Sequence, residues 1–318
     1  MTVEKLISEL NFYNKKAVSR LISIIETSTT DNELVLNQIT NKLGNAYRIG
    51  ITGPPGVGKS TLTNQLAKLF VSDSQKVGII AVDPTSPFSG GALLGDRIRM
   101  NDLANTENVF IRSMATRGSM GGLSKKAVDA ADILDAAGFD VIIFETVGVG
   151  QSEIDITQAA DTRIVVLVPE SGDSIQALKA GLMEIGDIFV LNKSDRPAAE
   201  NAILALKTML SLRNMTSTSW MPKILNTIAS ENRGIDLLKD EIFNHKKFLI
   251  ENDLLFKNRK DKLLNRVKQI TIEKLNQILW ENNSLSEIEQ IIMSSINGTV
   301  SPYEISNRII KNIKLDGD

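Results

Sequence analysis

Residues 53 to 61 read Gly53-Pro54-Pro55-Gly56-Val57-Gly58-Lys59-Ser60-Thr61, a complete Gly-x-x-x-x-Gly-Lys-Ser phosphate loop. Such a loop turns successive backbone N–H groups toward the phosphates of a nucleotide and sets them at a helix N-terminus. The Lys59 ammonium would then reach the β- and γ-phosphates, and the Ser60 hydroxyl would bind Mg²⁺. The flanks have the order this chemistry requires. The apolar run Tyr47 to Thr52 precedes the loop, and Leu62, Leu66 and Leu69 follow it at helical spacing. The chain is expected to bind a nucleoside triphosphate.

A second motif, Asn192-Lys193-Ser194-Asp195, directly follows the apolar run Ile188 to Leu191 and so falls at a strand end. There the Asp195 carboxylate can accept from N1–H and the exocyclic amine of guanine. Adenine presents an acceptor at N1, which would leave the same carboxylate desolvated and unpaired. Asn192 would orient the loop and bond the base edge, while the Lys193 stem would cover the ring face. Guanine is therefore expected over adenine.

Three carboxylates lie between the two motifs. Asp83 ends the run Val77 to Val82, Asp96 lies in Leu-Leu-Gly-Asp-Arg-Ile-Arg-Met, and Glu145 ends the run Val141 to Phe144. Acidic residues at buried strand ends beside a phosphate loop are placed to hold Mg²⁺ directly or through water. Glu145-Thr146-Val147-Gly148 stands where signalling GTPases carry Asp-x-x-Gly, whose glycine amide senses the γ-phosphate. Val149 follows in place of their water-positioning glutamine, and the nearest glutamine is Gln151. Slow intrinsic hydrolysis is expected, with Lys59, Asp96 and Glu145 as the candidate catalytic groups. Arg97, Arg99, Arg112 and Arg117 are the cations available to a transition state, although arginines in such positions are more often structural ion-pair partners.

These residues need a scaffold. Near-continuous apolar runs at 47–52, 77–82, 109–111, 141–144, 164–168, 188–191 and, more weakly, 223–227 alternate with helical stretches. The pattern predicts an α/β fold, a mostly parallel sheet with helices on both faces, as in P-loop NTPases. Ligands of such folds sit at the carboxyl ends of the strands, where every motif above falls. Residues 1–45 carry Leu6, Leu10, Val18, Leu21, Ile24 and Ile25 at mostly helical spacing and read as an N-terminal helical extension packed on the domain 46–245. Residues 246–318 turn long, charged and periodic in Leu and Ile. They read as a C-terminal helical dimerisation arm, because an amphipathic helix at a domain edge needs a partner for its apolar stripe.

With 318 residues the chain can bury a substantial core, and its net charge of −2 supplies no basic field for nucleic acid. No apolar stretch reaches the length of a membrane span, the N-terminus lacks a signal-peptide h-region, and there is no cysteine, so a cytoplasmic protein without disulfides is expected. The single histidine, His245, sits in the polar stretch EIFNHKKF and is expected on a solvated helix face.

Together, GPPGVGKST, VDPTSPFSGGALLGDRIRM, FIRSMATRGSMGGLS, FETVGVGQSE, SGDSIQALKAG and NKSD resemble the ArgK/MeaB group, the GTPases associated with methylmalonyl-CoA mutase. The resemblance covers residues 46 to about 240. It implies a Mg²⁺-dependent GTPase that chaperones an adenosylcobalamin-dependent methylmalonyl-CoA or isobutyryl-CoA mutase, gates cofactor delivery and protects the mutase. It also implies a homodimer built through the C-terminal helices. Lys59 and Ser60 would contact phosphate and Mg²⁺, Asp83, Asp96 and Glu145 would line the metal and water, and Asn192, Lys193 and Asp195 would read guanine. Residues 83–99 and 145–157 would be two switches. Residues 169–181 resemble a third, with Asp173 and Lys179 coupling nucleotide state to the mutase. Relatives tend to carry Ser-Ala in the last guanine-side loop. This chain reads Ile228-Ala229-Ser230, so the Ala229 amide can still reach the base but a hydroxyl at position 228 is lost.

Three rival readings differ in class. A transport-linked P-loop kinase or ATPase would prefer ATP, which NKSD opposes. A metallochaperone-type GTPase needs thiolate or imidazole ligands that this composition barely supplies. A switchable scaffold would hold the nucleotide without turning it over.

Overall fold

Seven runs form seven parallel strands, and the Ile-, Val- and Leu-rich central ones are buried on both faces while the last, Lys223–Thr227, is partly exposed. In the computed structural model, which describes residues 2–27, 30–83, 103, 106–115, 125–146, 159–170, 181–213, 219–281, 292–293, 295–296 and 300–311, the strands are β1 (Tyr47–Thr52), β2 (Val77–Asp83), β3 (Val109–Ala115), β4 (Val141–Thr146), β5 (Thr162–Leu167), β6 (Ile188–Asn192) and β7 (Lys223–Thr227). They make one sheet in the order β3-β2-β4-β1-β5-β6-β7. The helices are α1 (Val3–Ser8), α2 (Lys15–Thr27), α3 (Thr30–Ile39), α4 (Lys59–Ser72), α5 (Lys125–Ala136), α6 (Leu182–Ile185), α7 (Ala199–Ser211), α8 (Ile235–Glu251), α9 (Leu254–Glu281) and α10 (Pro302–Lys311).

Alternate residues of each strand serve opposite faces. Ile49, Ile51, Ile79, Ile143, Ile164 and Val190 pack under α4 and α8, against Leu62, Leu66, Leu238 and Ile242. On the other side Ile80, Val82, Ile142 and Phe144 pack against α5 and the helices α1 to α3. Phe189, Leu191, Val165 and Leu167 pack against α6 and α7. Covering both faces explains why the strands read as unbroken apolar runs rather than as alternating ones.

The N-terminal helices are held by polar ties as well. Asp135 of α5 accepts the N–H groups of Gly44, Asn45 and Ala46 at 2.8, 3.1 and 2.9 Å, fixing the entry to β1. Arg112, a sequence candidate for transition-state charge, instead pairs with Glu26 and donates to Ser23 of α2. Edge strand β3 therefore points this guanidinium at the helical layer.

His245 corrects a sequence expectation. It is 2% exposed, not solvated. Its Nδ1 lies 2.8 Å from the Thr162 hydroxyl, which in turn lies 2.5 Å from the Tyr47 hydroxyl, and Trp220 packs on its ring. The signal was periodicity: Ile235, Leu238, Ile242, His245 and Leu249 share the buried face of α8. Asn244 and Lys247, polar neighbours that suggested exposure, are exposed, whereas Glu241 is buried with His245.

The chain divides into two compact units, Met1–Leu255 and Phe256–Asp318. Within the second, α9 leaves Phe256, Leu263, Val267, Ile272 and Trp280 exposed. Among the described residues no helix is long and apolar enough to cross a membrane.

Candidate functional site

The phosphate loop leaves β1 after Thr52 and feeds α4 at Lys59. Two glycines give it its shape. Gly53 has φ +135°, and a Cβ there would collide with the Val166 carbonyl of β5. Gly58, the residue preceding α4, has φ +95°, and its Cβ would collide with the Asn192 amide. The loop is thus pressed against β5 on one side and the guanine motif on the other, a close approach only glycine permits.

Lys59 is buried and folds back over the loop, with Nζ donating to the carbonyls of Gly53 at 2.6 Å and Pro54 at 2.8 Å. Ser60 donates its hydroxyl to Oε1 of Glu145, which β4 carries beside β1 in register with Ile51. Val57 is buried, while Pro55, Gly56 and Thr61 are exposed along the outer crest.

Asn192 joins this loop to the far side of the site. Its amide donates to the Val57 carbonyl at 2.8 Å, and its Oδ1 accepts from the Ala229 N–H at 3.0 Å and the Thr227 hydroxyl at 3.1 Å. Lys193, with φ +56°, lays its side chain along the loop and donates to the Gly56 carbonyl at 2.9 Å. Asp195 is exposed, leaving its carboxylate to solvent or a base. Next to it, Arg196 bonds Glu170 at 2.6 Å, and this hydrogen bond holds the Glu170 carboxyl below the usual carboxylate range.

The structure therefore gathers Gly53 to Thr61, Glu145, Asn192, Lys193, Asp195 and Ala229 at the carboxyl ends of β1, β4, β6 and β7. Asp83 ends β2, next to β4, and its side chain lies outside the described residues. So do Asp96, Gly148, Asp173, Lys179, Arg97, Arg99 and Arg117. Sequence reasoning missed the buried hydroxyl pair Thr52 and Thr146 at the ends of β1 and β4. Their adjacency to Gly53 and Glu145 was visible, but strand pairing was needed to bring them together.

The chemistry of this arrangement is nucleotide chemistry: a helix N-terminus, a lysine, a hydroxyl–carboxylate pair and an exposed aspartate meet in one place. Residues 18–284 match the family described as methylmalonyl Co-A mutase-associated GTPase MeaB. The chain belongs to this family. It is 45% identical to a GTPase of Pyrococcus horikoshii over 98% of each chain. It is 33% identical to GTPase ArgK of Escherichia coli, covering 95% of this chain and 93% of that one. A crystal structure described as a LAO/AO transport system kinase superimposes with a TM-score of 0.75 at 28% identity, over 98% of this chain and 97% of the other. Like its family, the chain is a GTPase that binds GTP and GDP. The parallel sheet and the P-loop NTPase architecture agree with the expectation from sequence.

Proposed function

We propose that this family member couples Mg²⁺-dependent GTP hydrolysis to the care of an adenosylcobalamin-dependent acyl-CoA mutase of the methylmalonyl-CoA type, gating cofactor delivery and protecting the mutase. The observation that carries the nucleotide half is the Asn192 amide on the Val57 carbonyl, which ties a guanine motif to a phosphate loop. The mutase half is supported by the family match over residues 18–284.

In this reading the N–H groups of Gly56 to Ser60 and the N-terminus of α4 hold the phosphates. Lys59 exchanges its carbonyl partners for phosphate oxygens. Asp195 accepts from guanine, and Ala229 and Asn192 frame the base edge. Ser60 and Glu145, hard oxygen donors already in contact, suit Mg²⁺, with Asp83 and Asp96 as further ligands directly or through water. When bound, Mg²⁺ would neutralise charge developing on the phosphate oxygens. Val149 in place of a water-orienting glutamine makes intrinsic turnover slow, so a partner is expected to accelerate it. Asp173 and Lys179 carry nucleotide state to the mutase, and α9 with its exposed Leu263 and Val267 forms the homodimer interface. The site of action is the cytoplasm.

A kinase reading, suggested by the name of the similar crystal structure, would favour ATP, and Asp195 opposes it. Sedimentation of the protein with the mutase in GDP and in a non-hydrolysable GTP analogue tests the proposal. A complex whose stability differs between the two nucleotides is expected. No complex in either state would remove the mutase half.

A further inference from the structure

The backbone ladder between β1 and β4 runs from Tyr47 and Val141 to Ile51 and Glu145. One residue beyond, the Thr146 hydroxyl donates to the Thr52 hydroxyl at 3.1 Å, and both residues are buried, with 1% and 0% exposure. Among the described residues this is the only hydrogen bond of either side chain. Its place is functional. Thr52 is the last residue before Gly53 of the phosphate loop, and Thr146 follows Glu145 directly. Ser60 and Glu145 make their contact across the same pair of elements.

We propose that Thr52 and Thr146 form a hydroxyl rung that sets Glu145 against Ser60, which makes Thr146 a positioning residue for GTP hydrolysis. The proposal rests on the reading of Ser60 and Glu145 as the metal-side pair. Where a parallel ladder ends, the two chains are free to splay, and here β1 passes directly into the phosphate loop. A side-chain bond at that point holds their separation with a direction that packing alone lacks. Threonine suits the task because its β-branching restricts χ1, so the hydroxyl is aimed before the bond forms. Valine has the same shape without the direction.

That similarity of shape gives a discriminating test. Thr146→Val leaves the Thr52 hydroxyl buried and unpaired, whereas Thr52→Val with Thr146→Val removes both polar atoms. The single variant is expected to lower Tm and the double variant to regain most of it. Turnover should not follow Tm. Measured as kcat and KM for GTP, both variants should lose about tenfold in kcat with KM within about twofold. Affinity for a fluorescent GDP in EDTA should stay within about twofold of the parent, and Thr146→Ser should restore kcat. A double variant that regains parental kcat together with Tm would overturn the rung, as would a Thr146→Ser variant as slow as Thr146→Val. Glu145→Gln, run alongside, separates the two readings. If it keeps parental kcat, the role of Glu145 fails and the rung with it. If it is slow while the double variant is fast, the rung alone fails.

Discussion

Asn192 donates its side-chain amide to the Val57 carbonyl at 2.8 Å, joining two nucleotide motifs 135 positions apart in the chain. The same side chain accepts from Thr227 and Ala229, so one buried amide sets the phosphate loop against the guanine-side loop. Asn192→Ala leaves the Val57 carbonyl and the Ala229 N–H without their partner. The expected cost is about 1–3 kcal/mol in stability. GDP affinity should fall at least about tenfold, because the frame is lost as well as the contact. Chemical denaturation and fluorescent GDP titration measure both. Unchanged GDP affinity would show that Asn192 is only structural.

Asp195 is exposed in the same motif, and in the proposed reading it carries base identity. Asp195→Asn presents a donor where guanine also has one, and where xanthine offers a carbonyl. Preference should move from guanine to xanthine nucleotides by about 1–3 kcal/mol, roughly 5- to 150-fold, read by competitive displacement. Retained guanine preference would assign recognition elsewhere.

Gly58→Ala tests the packing of the loop. The left-handed φ of +95° strains any other residue, and the new Cβ would meet the Asn192 amide. Nucleotide affinity should fall about as far as in Asn192→Ala, and combining the two substitutions should cost less than their sum, because they disturb one contact. Strict additivity in a double-mutant cycle would contradict the shared contact.

The buried His245 predicts a pH dependence of stability. Burial lowers its pKa from 6.5, opposed by Asp187 at 3.8 Å and, more weakly, by Glu241 and Asp161, and assisted by Arg163. The unfolded chain therefore binds a proton more readily than the folded one. This contribution is fully present above pH 6.5 and is lost as pH falls toward the lower folded pKa. His245→Gln should show a shallower fall of Tm from pH 7 to 5 than the parent. Equal slopes would place the titration elsewhere.

The sheet was legible because burial on both faces writes the central strands as solid apolar runs, whereas the partly exposed β7 left a weaker signal. Strand ends were less so: β3 continues to Ala115 through Arg112 and Ser113, two polar residues that an edge strand tolerates and a hydropathy pattern discounts. The motifs announced Lys59, Ser60, Asn192 and Asp195 because phosphate and guanine chemistry fixes residue types at fixed spacing. His245 was misplaced because its polar type suggests solvent and its partner Thr162 is 83 positions away. Arg112 is the ion-pair member that arginines in such positions more often are, but its partner Glu26, 86 positions away, could not be named from the sequence. Thr52 and Thr146, 94 positions apart, went unnoticed for the same cause.

The most direct measurement is GTP turnover by the purified protein, alone and with an adenosylcobalamin-dependent mutase from the same source. A slow basal rate that rises when the mutase is added is expected, with no comparable activity with ATP. A rate indifferent to the mutase would contradict that expectation.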